Sequence, residues 1–245
     1  MELSQYKQPL RESGYAIIDN IFTGDEIANI LNTINNIDTS GPAFRKTNDL
    51  FAIRRFAKEV PAISPLIFNT RLREIIDQLF GTDYFLVKSI YFDKPEQSNW
   101  FVAYHQDLTI SVDQKIQAAG FDQWTVKNNQ FAVQPPVPLL ENIFTIRIHL
   151  DDTDENNGAL KIVPGSHRKG IYRPETIDWN NEQEVVCKVP QGGIMIMQPL
   201  LLHASNRTVN NNKRRVIHLE FSNQSLPSGL QWAEYISLKN LPAIA

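Results

Sequence analysis

Apolar positions recur at helical spacing before Gly81 and at strand spacing after it. Thr23-Gly24-Asp25-Glu26 has the capping-box pattern, in which a Thr hydroxyl and a Glu carboxylate each accept a backbone N–H at a helix start. Ile27, Ile30, Leu31, Ile34 and Ile37 then fall on one helical face. Leu72, Ile75, Ile76 and Leu79, with Gly81 just past them, predict a second helix. Both stripes are expected to pack on a sheet. Beyond Gly81, Tyr84–Phe92 is aromatic and β-branched and reads as a strand. Phe144–Leu150 alternates as a half-buried strand with Arg147, His149 and Asp151 on one face. Gly192–Leu202 reads as a buried strand and its exit, leading to His203. In Arg214–Phe221, Arg214, Val216, His218 and Glu220 share one face, and Arg215, Ile217, Leu219 and Phe221 the other. The irregular stretch Leu108–Asn142 carries Phe121, Trp124, Lys127 and Phe131 and ends in Gln134-Pro135-Pro136-Val137-Pro138. Long loops in compact domains are usually lids or binding loops, so this one is expected to close over a site, with Trp124 a candidate substrate contact.

With 245 residues and 42% hydrophobic content the chain can bury one substantial core, and a single domain over 1–245 is expected: a mainly helical portion over 1–83, then a β core over 84–223 with 108–142 as its lid. A formal charge of −3 and the lack of a Lys/Arg run offer no field for polymeric nucleic acid. No stretch approaches a membrane span, the N-terminus lacks the apolar core of a signal peptide, and a lone cysteine, Cys187, forbids an internal disulfide. A cytoplasmic protein is expected, with nothing to indicate an oligomeric state, and the sequon Asn206-Arg207-Thr208 then marks only a polar loop.

The chemistry concentrates in His-x-Asp. In a strand, residues i and i+2 project from one face, so a His and an Asp so spaced can grip one metal, and a further His can complete one face of an octahedral iron(II). The chain contains two such pairs, His105-Gln106-Asp107 and His149-Leu150-Asp151, and composition cannot choose between them. An antiparallel barrel could bring His203 beside the first.

Four ordered blocks resemble the phytanoyl-CoA dioxygenase family of iron(II)/2-oxoglutarate oxygenases. They are Tyr104-His105-Gln106-Asp107-Leu108, the run Asn156-Asn157-Gly158 to Pro164-Gly165-Ser166-His167, Pro199-Leu200-Leu201-Leu202-His203-Ala204-Ser205-Asn206, and Arg214, eleven residues after His203. The resemblance covers about Tyr84 to Asn223. It implies that His105, Asp107 and His203 bind Fe(2+), that Arg214 binds the far carboxylate of the co-substrate 2-oxoglutarate, and that O2 is the oxidant. With the strand pattern, it leads us to expect a double-stranded β-helix, or jelly roll, mainly β and buttressed by N-terminal helices. The implied reaction oxidises a small-molecule substrate with release of succinate and carbon dioxide. Hydroxylation is the default outcome, and desaturation, cyclisation and epoxidation are open.

Arg214 has its own physical case: a guanidinium presents a planar fork to a carboxylate and stays charged at any working pH. Only one of Arg214 and Arg215 can point into the barrel. Lys88, inside an apolar run, must find an anion or snorkel out, which makes it a second candidate for a co-substrate or substrate carboxylate. The family also carries Gln at position 106, where it could orient the site. Arg147 and His149 are candidate substrate contacts, His167 reads as a turn residue, and His218 could line the site or pack. Arg147 stands where the phytanoyl-CoA enzyme itself has an aromatic residue, so the name-giving substrate does not transfer. A non-catalytic metal or small-molecule binding module, or a cupin-like metalloenzyme that uses no 2-oxoglutarate, are the other readings. The complete triad together with Arg214 weakens the first, and Arg214 weakens the second.

Overall fold

A computed structural model describes residues 2–38, 44–46, 51–96, 100–127 and 130–241. In chain order the elements are α1 (Lys7–Glu12), β1 (Tyr15–Ile18), α2 (Gly24–Asn35), β2 (Phe44–Lys46), β3 (Phe51–Arg54), α3 (Phe56–Glu59), α4 (Ser64–Ile67), α5 (Thr70–Leu79), β4 (Phe85–Lys94), β5 (Val102–His105), β6 (Ile110–Val112), β7 (Asp122–Lys127), β8 (Gln130–Gln134), α6 (Val137–Leu140), β9 (Ile143–His149), β10 (Leu160–Ile162), β11 (Val185–Cys187), β12 (Ile194–Met197), β13 (His203–Ser205), β14 (Arg214–Ser222) and β15 (Ile236–Ser237). Strands β1-β12-β9-β14-β4-β3-β2, with β15 also on β4, make a large antiparallel sheet, and β11-β10-β13-β5 a small one facing it. This is the jelly roll expected from the sequence.

The helices form where their caps are. Thr23 accepts from the Glu26 N–H at 3.2 Å while the Glu26 carboxylate accepts from the Thr23 N–H at 2.6 Å, closing the capping box of α2. Asn69 caps α5 through the Leu72 N–H at 2.9 Å, and its amide also reaches Glu26 at 3.1 Å, so the two helix starts are tied together. Their apolar stripes, Ile27, Ile30 and Ile34 with Leu72, Ile75 and Ile76, share one cluster with Ile146, Ile148, Ile194, Ile196, Ile217, Leu219 and Phe221 of the large sheet. The helices therefore cover its outer face. Within the barrel, one end is apolar, with Met195 and Met197 packed on Leu160, Ile162, Cys187 and Leu201. The other end is polar and holds the candidate site.

Three expectations change. Strand β9 is buried at every position instead of at alternate ones, because helices cover one face and the barrel interior the other. The portion before residue 84 supplies strands as well as helices: β1 forms one edge of the large sheet, and β2 and β3 the other. The stretch 108–142 is not irregular: it folds as a second small sheet, β6-β8-β7, over a cluster of Ile110, Val112, Phe121, Val133 and Leu140 that Leu200 joins. Two backbone bonds, Asp113 N–H to the Gln231 carbonyl (3.0 Å) and Ala233 N–H to the Ser111 carbonyl (3.1 Å), stitch that sheet to the C-terminal segment. Among the described residues no helix is long and apolar enough to cross a membrane.

Candidate metal centre

Strands β5 and β13 pair antiparallel with His105 opposite His203, which brings together two imidazoles distant in sequence, their ring centroids 4.2 Å apart. Asp107 lies just beyond β5. Its N–H donates to the Pro199 carbonyl at 2.9 Å, which holds the strand end against the loop before β13. The carboxylate then stands 3.8 Å from His105 Nε2 through one oxygen and 3.7 Å from His203 Nε2 through the other.

The tautomers follow from the second nitrogens. His105 Nδ1 is 2.9 Å from the Ala103 carbonyl oxygen, and His203 Nδ1 is 2.9 Å from that of Leu201. A carbonyl only accepts, so each Nδ1 carries the proton and each Nε2 presents a lone pair. The ligand atoms of His105, Asp107 and His203 lie within 4.8 Å of one another. Two neutral imidazole nitrogens and one carboxylate on one side of a cavity are a donor set suited to non-haem iron(II), so these residues fit the metal the sequence implies. Burial pushes the His203 ring down to about 4 even against the opposing pull of Asp107, so it is a neutral ligand at ordinary pH. Burial works to raise the Asp107 carboxyl, but positive charge on its neighbours, the histidines once protonated and the Lys88 ammonium throughout, outweighs it and brings it down to about 2.

The other His-x-Asp pair is taken apart by the fold. Arg215 binds Asp151 with Nε at 2.9 Å and a terminal nitrogen at 2.6 Å, and its backbone N–H adds a third bond at 2.8 Å. His149 Nδ1 lies 2.8 Å from the Thr153 hydroxyl, and burial first, then Arg147 and Arg214, hold its ring well below the usual histidine range. His149 is absent from the residues that line the cavity of the triad, and its Nε2 is buried with no hydrogen-bond partner among the described residues.

Opposite the triad, Arg214 opens β14 from the inner face. It is 3% exposed, and two of its nitrogens, Nε and one terminal nitrogen, have no hydrogen-bond partner among the described residues. Burial, then repulsion from Arg147, bring its pKa down to about 9, so it remains charged at neutral pH. A dry guanidinium with unused donors is incomplete without an anion. Asn157 steadies the approach to this strand: its amide donates to the carbonyls of Asp152 (2.7 Å) and Lys213 (3.3 Å).

Two residues expected to hold the co-substrate are engaged elsewhere. Gln106 donates to the carbonyls of Leu200 (2.6 Å) and Gly170 (2.8 Å) and accepts from the Tyr172 N–H (2.9 Å), so its amide pins two loops behind the triad. Lys88 has its anion within the chain: Nζ donates to Glu220 at 2.8 Å and to the Thr109 carbonyl at 3.3 Å. Glu220 is in turn 3.0 Å from His218 Nε2, and His218 Nδ1 is 3.2 Å from an Arg147 nitrogen. A guanidinium only donates, so His218 accepts at Nδ1 and donates from Nε2 to Glu220. This row of four crosses the cavity wall, and Arg147 and His218 both line the space. Trp124, expected to touch substrate, instead packs in the cluster under β6–β8, its indole donating to the Phe121 carbonyl at 3.2 Å.

Sequence reasoning missed Glu220 and Lys94. A carboxylate two positions from His218, on the face of Arg214, was the available signal for the first. Lys94 is fully buried opposite Arg214 in the β4–β14 register, donates to the Asn206 carbonyl, and is pushed down to about 7 by burial and then by Arg214. It sits so close to Gly158 that a Cβ there would come within 2.7 Å of Nζ; that glycine also has φ +86.

The family model for phytanoyl-CoA dioxygenase matches residues 10–216. A probable alpha-ketoglutarate-dependent hypophosphite dioxygenase of Stutzerimonas stutzeri is 22% identical over 181 residues, 68% of this chain and 54% of that protein. An ectoine dioxygenase of Bordetella bronchiseptica is 24% identical over 173 residues, 67% of this chain and 49% of its own length. The chain thus spans about half the length of the curated relatives it matches. Among solved structures, EctD from S. alaskensis in its apoform superposes with a TM-score of 0.69 at 17% identity, over 89% of this chain and 76% of that one. The non-heme alpha ketoglutarate dependent carbocyclase SnoK from nogalamycin biosynthesis gives 0.65 at 15% identity, over 89% and 83%. These likenesses show the fold.

Proposed function

We propose that this chain, which belongs to the phytanoyl-CoA dioxygenase family, is an iron(II)- and 2-oxoglutarate-dependent oxygenase acting on a small molecule. One observation carries the reading: a single cavity has two Nε2 lone pairs and a carboxylate on one side and, on the other, a buried guanidinium with no anion among the described residues. Iron(II) and 2-oxoglutarate bound there supply oxidation by O2 of a substrate carbon, most simply its hydroxylation, with succinate and carbon dioxide as co-products.

The chain's own residues hold and orient. His105 and His203 offer Nε2 to the metal, and their Nδ1–H bonds to Ala103 and Leu201 fix the rings. Asp107 brings the one negative charge of the donor set. Arg214 takes the far carboxylate of 2-oxoglutarate with a fork matched to two oxygens. The ligands stand on or beside the small sheet and Arg214 on the large one, so the residues that would hold the two ends of the co-substrate face each other across the barrel. The Lys88–Glu220–His218–Arg147 row keeps the wall beside it hydrogen-bonded and holds Arg147 in place.

Anaerobic addition of iron(II) and then 2-oxoglutarate tests this. Wild type should develop the weak visible charge-transfer band of that chelate, His149→Ala should keep it, and His105→Ala should abolish it. A band kept in His105→Ala and lost in His149→Ala would transfer the metal to the second motif. A normal band with no succinate formed in air would reduce the protein to a binding module.

A further inference from the structure

The cavity of the triad encloses about 200 Å³, less than the roughly 300–1,000 Å³ typical of small-molecule sites, and on the reading above the co-substrate occupies it. A second cavity of about 480 Å³ adjoins it, and Lys88 and Ile90 of β4 line both. We propose that this second cavity is the chamber for the primary substrate and that it selects an organic anion, whose carboxylate or phosphoryl group is held by Arg54 with Lys58 and Lys127 at the mouth. The proposal rests on the oxygenase reading and names its substrate class.

The chamber exists because the outer edge of β4 is incompletely paired. Strand β3 takes Ile90–Asp93 and β15 takes Phe85–Leu86, which leaves Val87–Ser89 without a neighbouring strand on that side. The sheet β6-β8-β7 covers the gap, presenting Ser111, Thr125 and Gln130 to it, with Thr109 just before β6. Its walls are unequal in charge. Five cations line it, Arg54, Arg55, Lys58, Lys88 and Lys127, against two acids, Asp113 and Glu234. Lys88 is matched by Glu220 and Arg55 by Glu59, each at 2.8 Å. Neither acid pairs with Arg54 or Lys127: Asp113 caps the Gln231 N–H at 2.8 Å, and Glu234, bound by the Ser89 hydroxyl at 2.7 Å, has its pKa raised by burial while the Lys58 backbone N–H and ammonium act to lower it. Among the described residues no carboxylate lies within ion-pair distance of Arg54, Lys58 or Lys127.

Lys58 thus feels Glu234 only at longer range than an ion pair, and the three cations are graded in depth. Lys58 and Lys127 are exposed, where they attract an anion from solvent, and Arg54 is half-buried at the end of β3, where less water competes for its fork. Ile90, Val112 and Phe131 add an apolar wall for a carbon skeleton. The charged group is thereby held apart from the triad while the skeleton extends past Ile90 and the Lys88–Glu220 pair towards it.

The test offers the protein, with iron(II), 2-oxoglutarate, ascorbate and air, a panel sorted by charge: phosphate monoesters and monocarboxylates, neutral alcohols and amides, and amines. Succinate formed above background is the first readout. The second is calorimetric binding of each active compound to protein loaded with manganese(II) and 2-oxoglutarate. The active compounds should be anions, and Arg54→Gln should raise their KM and Kd about tenfold with kcat changed less than about twofold, as expected for loss of a charge-assisted hold remote from the reacting carbon. Arg54→Lys should recover part of the loss, and Lys7→Gln on α1 should change nothing. Activity confined to neutral or cationic compounds, no active compound despite normal background succinate, or a KM unmoved in Arg54→Gln would overturn the anion chamber and leave the oxygenase reading intact. Loss of both the iron/2-oxoglutarate band and background succinate in wild type would bring down that reading, and the chamber with it.

Discussion

Arg214 and Arg215 are the same residue type one position apart, and the pleat sends them to opposite sides of β14. Arg215 spends its fork on Asp151, and Arg214 keeps unused donors inside the barrel. Their substitutions should therefore fail differently. Arg214→Ala should weaken 2-oxoglutarate by about 1.5–3 kcal/mol, roughly 10- to 100-fold in Kd, with iron affinity nearly intact. Arg215→Ala should instead strand the partly buried Asp151 and cost stability, about 1–3 kcal/mol, read as a lower Tm with an unchanged 2-oxoglutarate titration. The strand parity that separates the two was legible in the sequence. Arg215's partner was not, because Asp151 meets it only through the pairing of β9 with β14. The buried histidines carry a pH signature of their own. His149 and His167 have folded pKa values below the ordinary histidine value, so the unfolded chain binds their protons more readily, and their contribution to stability is present above about pH 6.5 and lost as pH falls below it. Tm should fall between about pH 7 and 5.5, before most carboxylates titrate, and less steeply in His149→Gln. An equal slope in both proteins would mean that His149 does not titrate on unfolding.

The elements that were legible are those long enough to show a period. Two full turns of apolar stripe and a cap announced α2 and α5, and the two-faced run Arg214–Phe221 announced β14. In 108–142, β6 has only three residues, and β7 and β8 are longer but bury almost nothing at alternate positions, so none shows a period to read and the stretch looked like a loop. Its prolines and amides are turn-formers, but Ile110, Val112 and Val133 close a small core around them. Trp124 belongs to that core. Trp124→Ala should therefore lower Tm, by about 2 kcal/mol of stability for a half-buried aromatic, and leave succinate formation coupled to oxidation of substrate. A sheet tied to the C-terminal segment should also resist limited proteolysis equally in the metal-free and loaded protein. Cleavage within 108–142 that iron and 2-oxoglutarate suppress would restore the mobile lid.

Over the whole molecule, the candidate site is divided between the two sheets. His105, Asp107 and His203 sit on or beside β5 and β13 of the small sheet, and Arg214 begins β14 of the large one. No local pattern announces that division; antiparallel closure of the barrel creates it, and the four sequence blocks recorded it without showing the space between them. A ligand that touches both sheets should hold the barrel closed, and one that touches a single sheet should stabilise it less. Binding to the folded state alone adds about 2.7 kcal/mol at a hundred times Kd. At about 2–4 °C per kcal/mol for a chain of this length, that is a rise of roughly 5–10 °C in Tm. Anaerobic melting with iron(II), then with iron(II) and 2-oxoglutarate, should give two successive increments. Arg214→Ala should keep the first and lose most of the second, and His105→Ala should lose both, because the co-substrate then has neither its metal end nor the bridge. If Arg214→Ala retains the full second increment, the co-substrate is held on the small sheet alone, and the unpaired guanidinium across the barrel serves some other anion.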